Sequence, residues 1–203
     1  MSSLPTKAKC VVIGAGIVGN SMVYHLARLG WTDIVQIDKG PLPNPGGSTG
    51  HASNFIFLVD HNKEMAQLTL DSLRQYIELD TFFESGGIEV ARSAERMQEL
   101  NRRVTSGKSW GVDGMDILTP DEVKEMVPFI DETVIMGGFY TKGVGVCDSL
   151  RAGTLMREKA IEMGALQSFA NVEVKDLTVE DGHIKAVVTD QGTIDADYVV
   201  IAT

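Results

Sequence analysis

The segment from Lys9 to Asp38 limits what this chain can fold into more than any other. Lys9-Cys10-Val11-Val12-Ile13 is short and apolar, the pattern of a buried strand. Gly14-Ala15-Gly16-Ile17-Val18-Gly19 follows at once. Residues 17–30 then place Val18, Met22, Val23, Leu26 and Leu29 on one side of a helix, with Gly30 as its stop. Ile34-Val35-Gln36-Ile37 forms a second strand and ends in Asp38. A strand, a helix and a strand over about thirty residues call for a parallel sheet.

In that setting the glycines carry chemistry. Gly14 allows the tight turn out of the strand, Gly16 lets backbone approach a pyrophosphate, and Gly19 lets the helix pack close. Ile17 and Val18 open the helix, whose N-terminus offers free N–H groups and a partial positive charge to phosphates. Asp38, with Lys39 beside it, stands where a carboxylate accepts from ribose hydroxyls and repels a 2′-phosphate, which argues against NADP. The fingerprint alone leaves FAD and NAD open. Three features favour FAD: the loop directly after Asp38, a second nucleotide-binding stretch at 172–189, and Tyr198–Thr203, which is similar to the start of a second FAD motif. An NAD-dependent dehydrogenase is the weaker reading.

Residues 40–50, rich in Pro and Gly, form a loop, and His51 follows it. Ser48 and Thr49 are expected to contact the cofactor, with simple turn chemistry as the alternative. A long helix is expected over 62–84, with Met65, Leu68, Tyr76 and Leu79 as its apolar face and Gly86-Gly87 as its end. A strand at 88–90, a solvated helix at 93–106, a capped helix start at Thr119-Pro120-Asp121-Glu122 and a strand at 134–140 come next. Asp148-Ser149 opens a further helix, and an Asp181-Gly182 turn joins strands at 172–179 and 184–189. The fold class read from this order is α/β: a Rossmann-type FAD-binding domain with a parallel sheet, formed by 1–60 and 148–203, plus part of an α+β substrate domain at 61–147. A core strand at the last residues reads as that of a fragment, or of one chain of a split protein.

Net charge is −10, from 28 acids and 18 bases, which disfavours nucleic acid and anionic membranes and fits a small-molecule protein. Cys10 reads as a buried small hydrophobe and Cys147 as part of a Gly-rich turn, so neither a disulfide framework nor a zinc site is expected, and no metal-ligand spacing is visible. There is no signal-peptide core and no apolar run of membrane-helix length, so the expected location is the cytoplasm, or the mitochondrial matrix of a eukaryote. His25 reads as structural, and His61 and His183 as exposed loop residues.

Residues 9–60 resemble the D-amino-acid-oxidase-like superfamily of FAD-dependent oxidoreductases, above all its dimethylglycine oxidase, dimethylglycine dehydrogenase and sarcosine dehydrogenase branch. The resemblance rests on Gly14-x-Gly16-x-x-Gly19, Asp38 and Gly46-Gly47-Ser48-Thr49-Gly50-His51-Ala52; it extends more weakly to Gly86–Ala91, Ser109-Trp110-Gly111 and residues 137–203. It implies FAD joined covalently through His51 to the flavin 8α carbon, and backbone pairing of Val174 with adenine. It implies oxidation of an N-methylated amine such as dimethylglycine or sarcosine by hydride transfer to flavin N5, giving an iminium. It further implies substrate-gripping and catalytic residues beyond Thr203, tetrahydrofolate on a C-terminal domain, and, as the other known role of this fold, a catalytically silent regulatory subunit of the pyruvate dehydrogenase phosphatase type. Asn54 departs from the family, which usually has Gly there.

Overall fold

A computed structural model of the chain describes residues 3–59 and 62–203. His61 and the expected domain boundary at 60/61 lie outside the described residues. In chain order the elements are β1 (Lys7–Ile13), α1 (Ile17–Arg28), β2 (Ile34–Asp38), β3 (Phe55–Ile56), α2 (Lys63–Glu78), β4 (Phe82–Glu84), β5 (Gly87–Ala91), α3 (Ala94–Ser109), β6 (Met115–Leu118), α4 (Pro120–Met126), β7 (Gly137–Thr141), β8 (Gly145–Cys147), α5 (Ser149–Glu162), β9 (Leu166–Ala170), β10 (Val174–Glu180), β11 (His183–Thr189) and β12 (Gly192–Ile201). They fall into two compact units, Met1–Ala52 with Asp148–Thr203, and Ser53–Cys147.

The first unit is built on a six-stranded sheet in the order β10-β11-β12-β1-β2-β9. The run β12-β1-β2-β9 is parallel, and β10-β11-β12 is antiparallel. Successive residues of β1 and β2 serve opposite faces. Cys10, Val12 and Ile34 pack with Val23 and Ala27 of α1 and Ala160 of α5, while Val11, Val35 and Ile37 pack with Val187 and Ile194. Burial on both faces is why these strands read as unbroken apolar runs. Each buried Val or Ile among them contributes roughly 1.5–3 kcal/mol relative to exposure. The hairpin β10–β11 turns through Asp181 (φ 51°) and Gly182 (φ 75°), both left-handed, as an Asp-Gly turn requires. Cys10 and Cys147 are buried and form no disulfide, and burial pushes the Cys10 thiol up.

The second unit holds two three-stranded antiparallel sheets, β3-β8-β4 and β5-β7-β6. Its core includes Leu58, Leu73, Leu100, Val104, Met115 and Phe139. It starts at Ser53, earlier than the expected 61, because Phe55 and Ile56 pair with β8 and Leu58 and Val59 enter this core.

Several expectations are corrected here. α2 ends at Glu78, not at Gly86-Gly87: Asp80 turns left-handed (φ 53°) and β4 follows. Its buried residues are Ala66 and Leu73, whereas Met65 and Leu68 of the expected apolar face are exposed. α3 is not wholly solvated, since Leu100, Val104 and Gly107 are buried. The strand expected at 134–140 begins only at Gly137, because Asp131 caps a 3-10 turn over Glu132–Val134. Cys147 lies in β8 rather than in a turn, and exposed His183 opens β11 rather than lying in a loop.

Candidate functional site

The glycine turn sits where β1 passes into α1. Gly14 has φ +112°, and a Cβ there would stand 2.4 Å from the Ala202 carbonyl oxygen. A Cβ on Gly19 would stand 2.0 Å from the Gly14 carbonyl oxygen, so α1 lies directly on the turn that precedes it. Gly16 differs: its Cβ would meet only the Thr49 hydroxyl, at 3.1 Å. Gly16 is the N-cap of α1 and offers no capping side chain, and the first turn holds no acid. The N–H groups of Val18 and Gly19 therefore lack intrahelical acceptors, and the partial positive charge of the helix end is uncompensated by side chains of that turn.

Two side chains tie other segments to this turn. Asp38 Oδ2 accepts from the Ala15 N–H at 2.7 Å, and Oδ1 accepts from the Gly40 N–H at 2.8 Å. A carboxylate has about four acceptor positions, so both oxygens retain capacity for ribose hydroxyls. Thr49 Oγ1 accepts from the Ile17 N–H at 2.9 Å, while its carbonyl accepts from Ser149 Oγ at 3.0 Å. Thr49 thus fastens the loop to the starts of both α1 and α5, a role its sequence context did not reveal.

These groups border a cavity of about 890 Å³, within the range of about 300–1,000 Å³ usual for small-molecule and cofactor sites. Gly14, Gly16, Ile17, Val18, Asp38, Lys39, Gly47, Ser48, Thr49 and Val174 all line it. Gly19 does not, as its packing role under Gly14 would require. His51 is also absent from the lining: it is exposed, at the end of the 3-10 turn Ser48–His51, two residues after Thr49 and directly before Ala52, both of which line the cavity. Val172, Glu173, Ile201 at the end of β12, and Ala202 and Thr203 after it line the cavity too. Pairing of β12 with β1 accounts for the last of these, and only its similarity to a second FAD motif hinted at it. Among the described residues, no group of three or more His, Cys, Asp or Glu is placed to hold a metal ion, and no helix is long and apolar enough to cross a membrane.

Residues 9–203 match the family described as FAD dependent oxidoreductase (DAO). The chain belongs to that family. The mouse mitochondrial pyruvate dehydrogenase phosphatase regulatory subunit is 26% identical over 205 residues, 98% of this chain and 23% of that protein. Human mitochondrial dimethylglycine dehydrogenase is 28% identical over 203 residues, 97% of this chain and 23% of its own length. Mouse mitochondrial sarcosine dehydrogenase is 27% identical over 209 residues, 97% of this chain and 22% of its length. The chain thus spans less than a quarter of each of these curated relatives. Among solved structures, L-proline dehydrogenase from P. horikoshii superposes with a TM-score of 0.90 at 28% identity, covering 98% of this chain and 54% of that one. The family's cofactor fits the residues present. A side chain at Gly16 would narrow the cradle, the helix end suits a pyrophosphate, and Asp38 suits a ribose.

Proposed function

We propose that this chain is the FAD-holding part of a flavoenzyme that oxidises an N-methylated amine of the dimethylglycine or sarcosine kind. The observation that carries the reading is the match, over almost the whole chain, to two dehydrogenases named for such substrates. When bound, the flavin would accept a hydride at N5 from the carbon beside the substrate nitrogen, leaving an iminium for hydrolysis or for one-carbon transfer to tetrahydrofolate. Gly16 and the α1 N-terminus would receive the pyrophosphate, Asp38 the ribose hydroxyls, and the Val174 backbone the adenine. Lys39, Gly47 and Ser48 would close around them. His51 would carry the flavin covalently. Its two sequence neighbourhoods, Ser48-Thr49 and Ala52, both reach the cavity, which supports that assignment.

A second reading has its own support, the similarity to a phosphatase regulatory subunit. A regulator would need neither a covalent flavin nor an oxidisable substrate. Anaerobic addition of dimethylglycine or sarcosine to the complete FAD-loaded protein separates the two: the enzyme reading predicts bleaching of the flavin's visible absorbance, the regulator reading none. Intact mass after acid denaturation tests His51. One flavin's added mass is expected, and His51→Ala should bind FAD only reversibly. A wild-type protein that holds FAD without the added mass would refute the covalent link.

A further inference from the structure

Gln36 is the polar exception in an apolar central strand. It is fully buried on β2, level with Val12 of β1 and Ser168 of β9. Its Nε2 donates to the Gly14 carbonyl at 3.2 Å and to Asn20 Oδ1 at 3.0 Å, and its Oε1 accepts from Ser168 Oγ at 3.1 Å. Asn20, also buried, donates through Nδ2 to the Ala15 carbonyl at 2.9 Å. The orientation of the Gln36 amide is dictated, because the Gly14 carbonyl can only accept and the nitrogen must face it. An amide in a strand buried on both faces persists only when its bonds are met. Gly153 of α5 belongs to the same arrangement, since a Cβ there would stand 2.8 Å from Asn20 Nδ2.

We propose that the Ser168–Gln36–Asn20 relay is the positioning device of the phosphate-binding turn. It draws the carbonyls of Gly14 and Ala15 inward, and so turns the Ala15 N–H toward Asp38 and the Gly16 N–H toward the cavity, where an anionic pyrophosphate is received. Without the relay those carbonyls would be buried acceptors lacking donors. Rotating either peptide toward water would bring the negative end of its dipole to the anion. Neither Gln36 nor Asn20 lines the cavity, so both act through the turn. The inference rests on the reading of this cavity as the FAD site.

The test uses this chain with ADP and adenosine as probes, their affinities measured by calorimetry. ADP carries the pyrophosphate, whereas adenosine reports the Asp38 subsite, which the Gly40 N–H also holds. Gln36→Met, close in volume, and Asn20→Ala should each raise the ADP Kd on the order of tenfold, the loss expected when buried partners go unsatisfied. Adenosine affinity should fall less, because Asp38 keeps the Gly40 N–H even if the Ala15 N–H of the Gly14 peptide shifts. The double variant should lose little more than either single one, as members of one network do. Equal weakening of both probes, or of neither, overturns the relay. Should Gln36→Met not fold, Ser168→Ala answers the same question with a smaller loss that is again greater for ADP than for adenosine, and unchanged or parallel affinities overturn the proposal. A wild-type chain that binds neither probe overturns the FAD-site reading itself, whereas unchanged variants beside a binding wild type overturn the relay alone.

Discussion

Two glycine-bearing loops of the first unit answer to different masters. In the turn 14–19, Gly14 and Gly19 are demanded by the protein itself: a Cβ at either would collide with backbone oxygen at 2.4 or 2.0 Å. In the loop 40–51, Gly40 is demanded in the same way, with a Cβ 2.3 Å from the Pro45 carbonyl oxygen, and a Cβ on Gly50 would press on Asn44 Oδ1 at 3.0 Å, but a Cβ on Gly46 or Gly47 would meet nothing within 4 Å. Gly46 still has a backbone reason, φ +83°, but Gly47 has none, with φ −86° and ψ −171° open to any residue. Gly16 stands between the two cases, touched only by a hydroxyl. The contrast separates glycines that hold the fold from those left free to serve a ligand.

The largest effect should fall on the first class. Gly19→Ala forces the start of α1 off the Gly14 carbonyl, and a stability loss of about 3 kcal/mol or more is expected, at the upper end of what overpacking costs. Urea unfolding measures it, and a midpoint equal to wild type would break the contrast. A smaller effect belongs to Asn54, which is left-handed at φ +60° and whose carbonyl accepts from the Cys147 N–H at 2.8 Å. This backbone suits the Gly that the resemblance implies there, and it suits Asn, one of the side chains most tolerant of that region. Asn54→Ala should cost about 1 kcal/mol and Asn54→Gly much less; equal costs would show that the side chain, not the backbone, matters. The smallest effect on stability should be that of Gly47→Ala, within about 0.5 kcal/mol, with any loss appearing in FAD affinity instead. Thermal melting and flavin titration, run side by side, sharpen or blur the distinction.

Much of the first unit was legible because its signals are local. The apolar runs 10–13 and 34–37, the glycines between them and the Asp-Gly turn each report a backbone requirement within a few residues. The second unit was less so. β6 and β8 carry no alternation or turn signal strong enough to mark them, as β9 of the first unit does not, and α2 shows Met65 and Leu68, although Ala66 and Leu73 are what it buries. At the site, the glycines and Asp38 could be read from their spacing. Thr49's grip on Ile17, Asp38's second role at Ala15 and the Gln36 relay could not, because each is a tertiary hydrogen bond across at least sixteen residues of sequence.

The account turns on Gly16 facing a bound pyrophosphate, with the Thr49 hydroxyl as the one protein atom its Cβ would meet. Titrating FAD into wild-type chain and Gly16→Val, with both melting curves recorded, tests this directly. Wild type should quench flavin fluorescence saturably at one equivalent, while Gly16→Val remains folded and loses that binding, since a branched side chain would occupy the approach beside Thr49. A folded Gly16→Val protein that binds FAD as tightly as wild type would contradict the account.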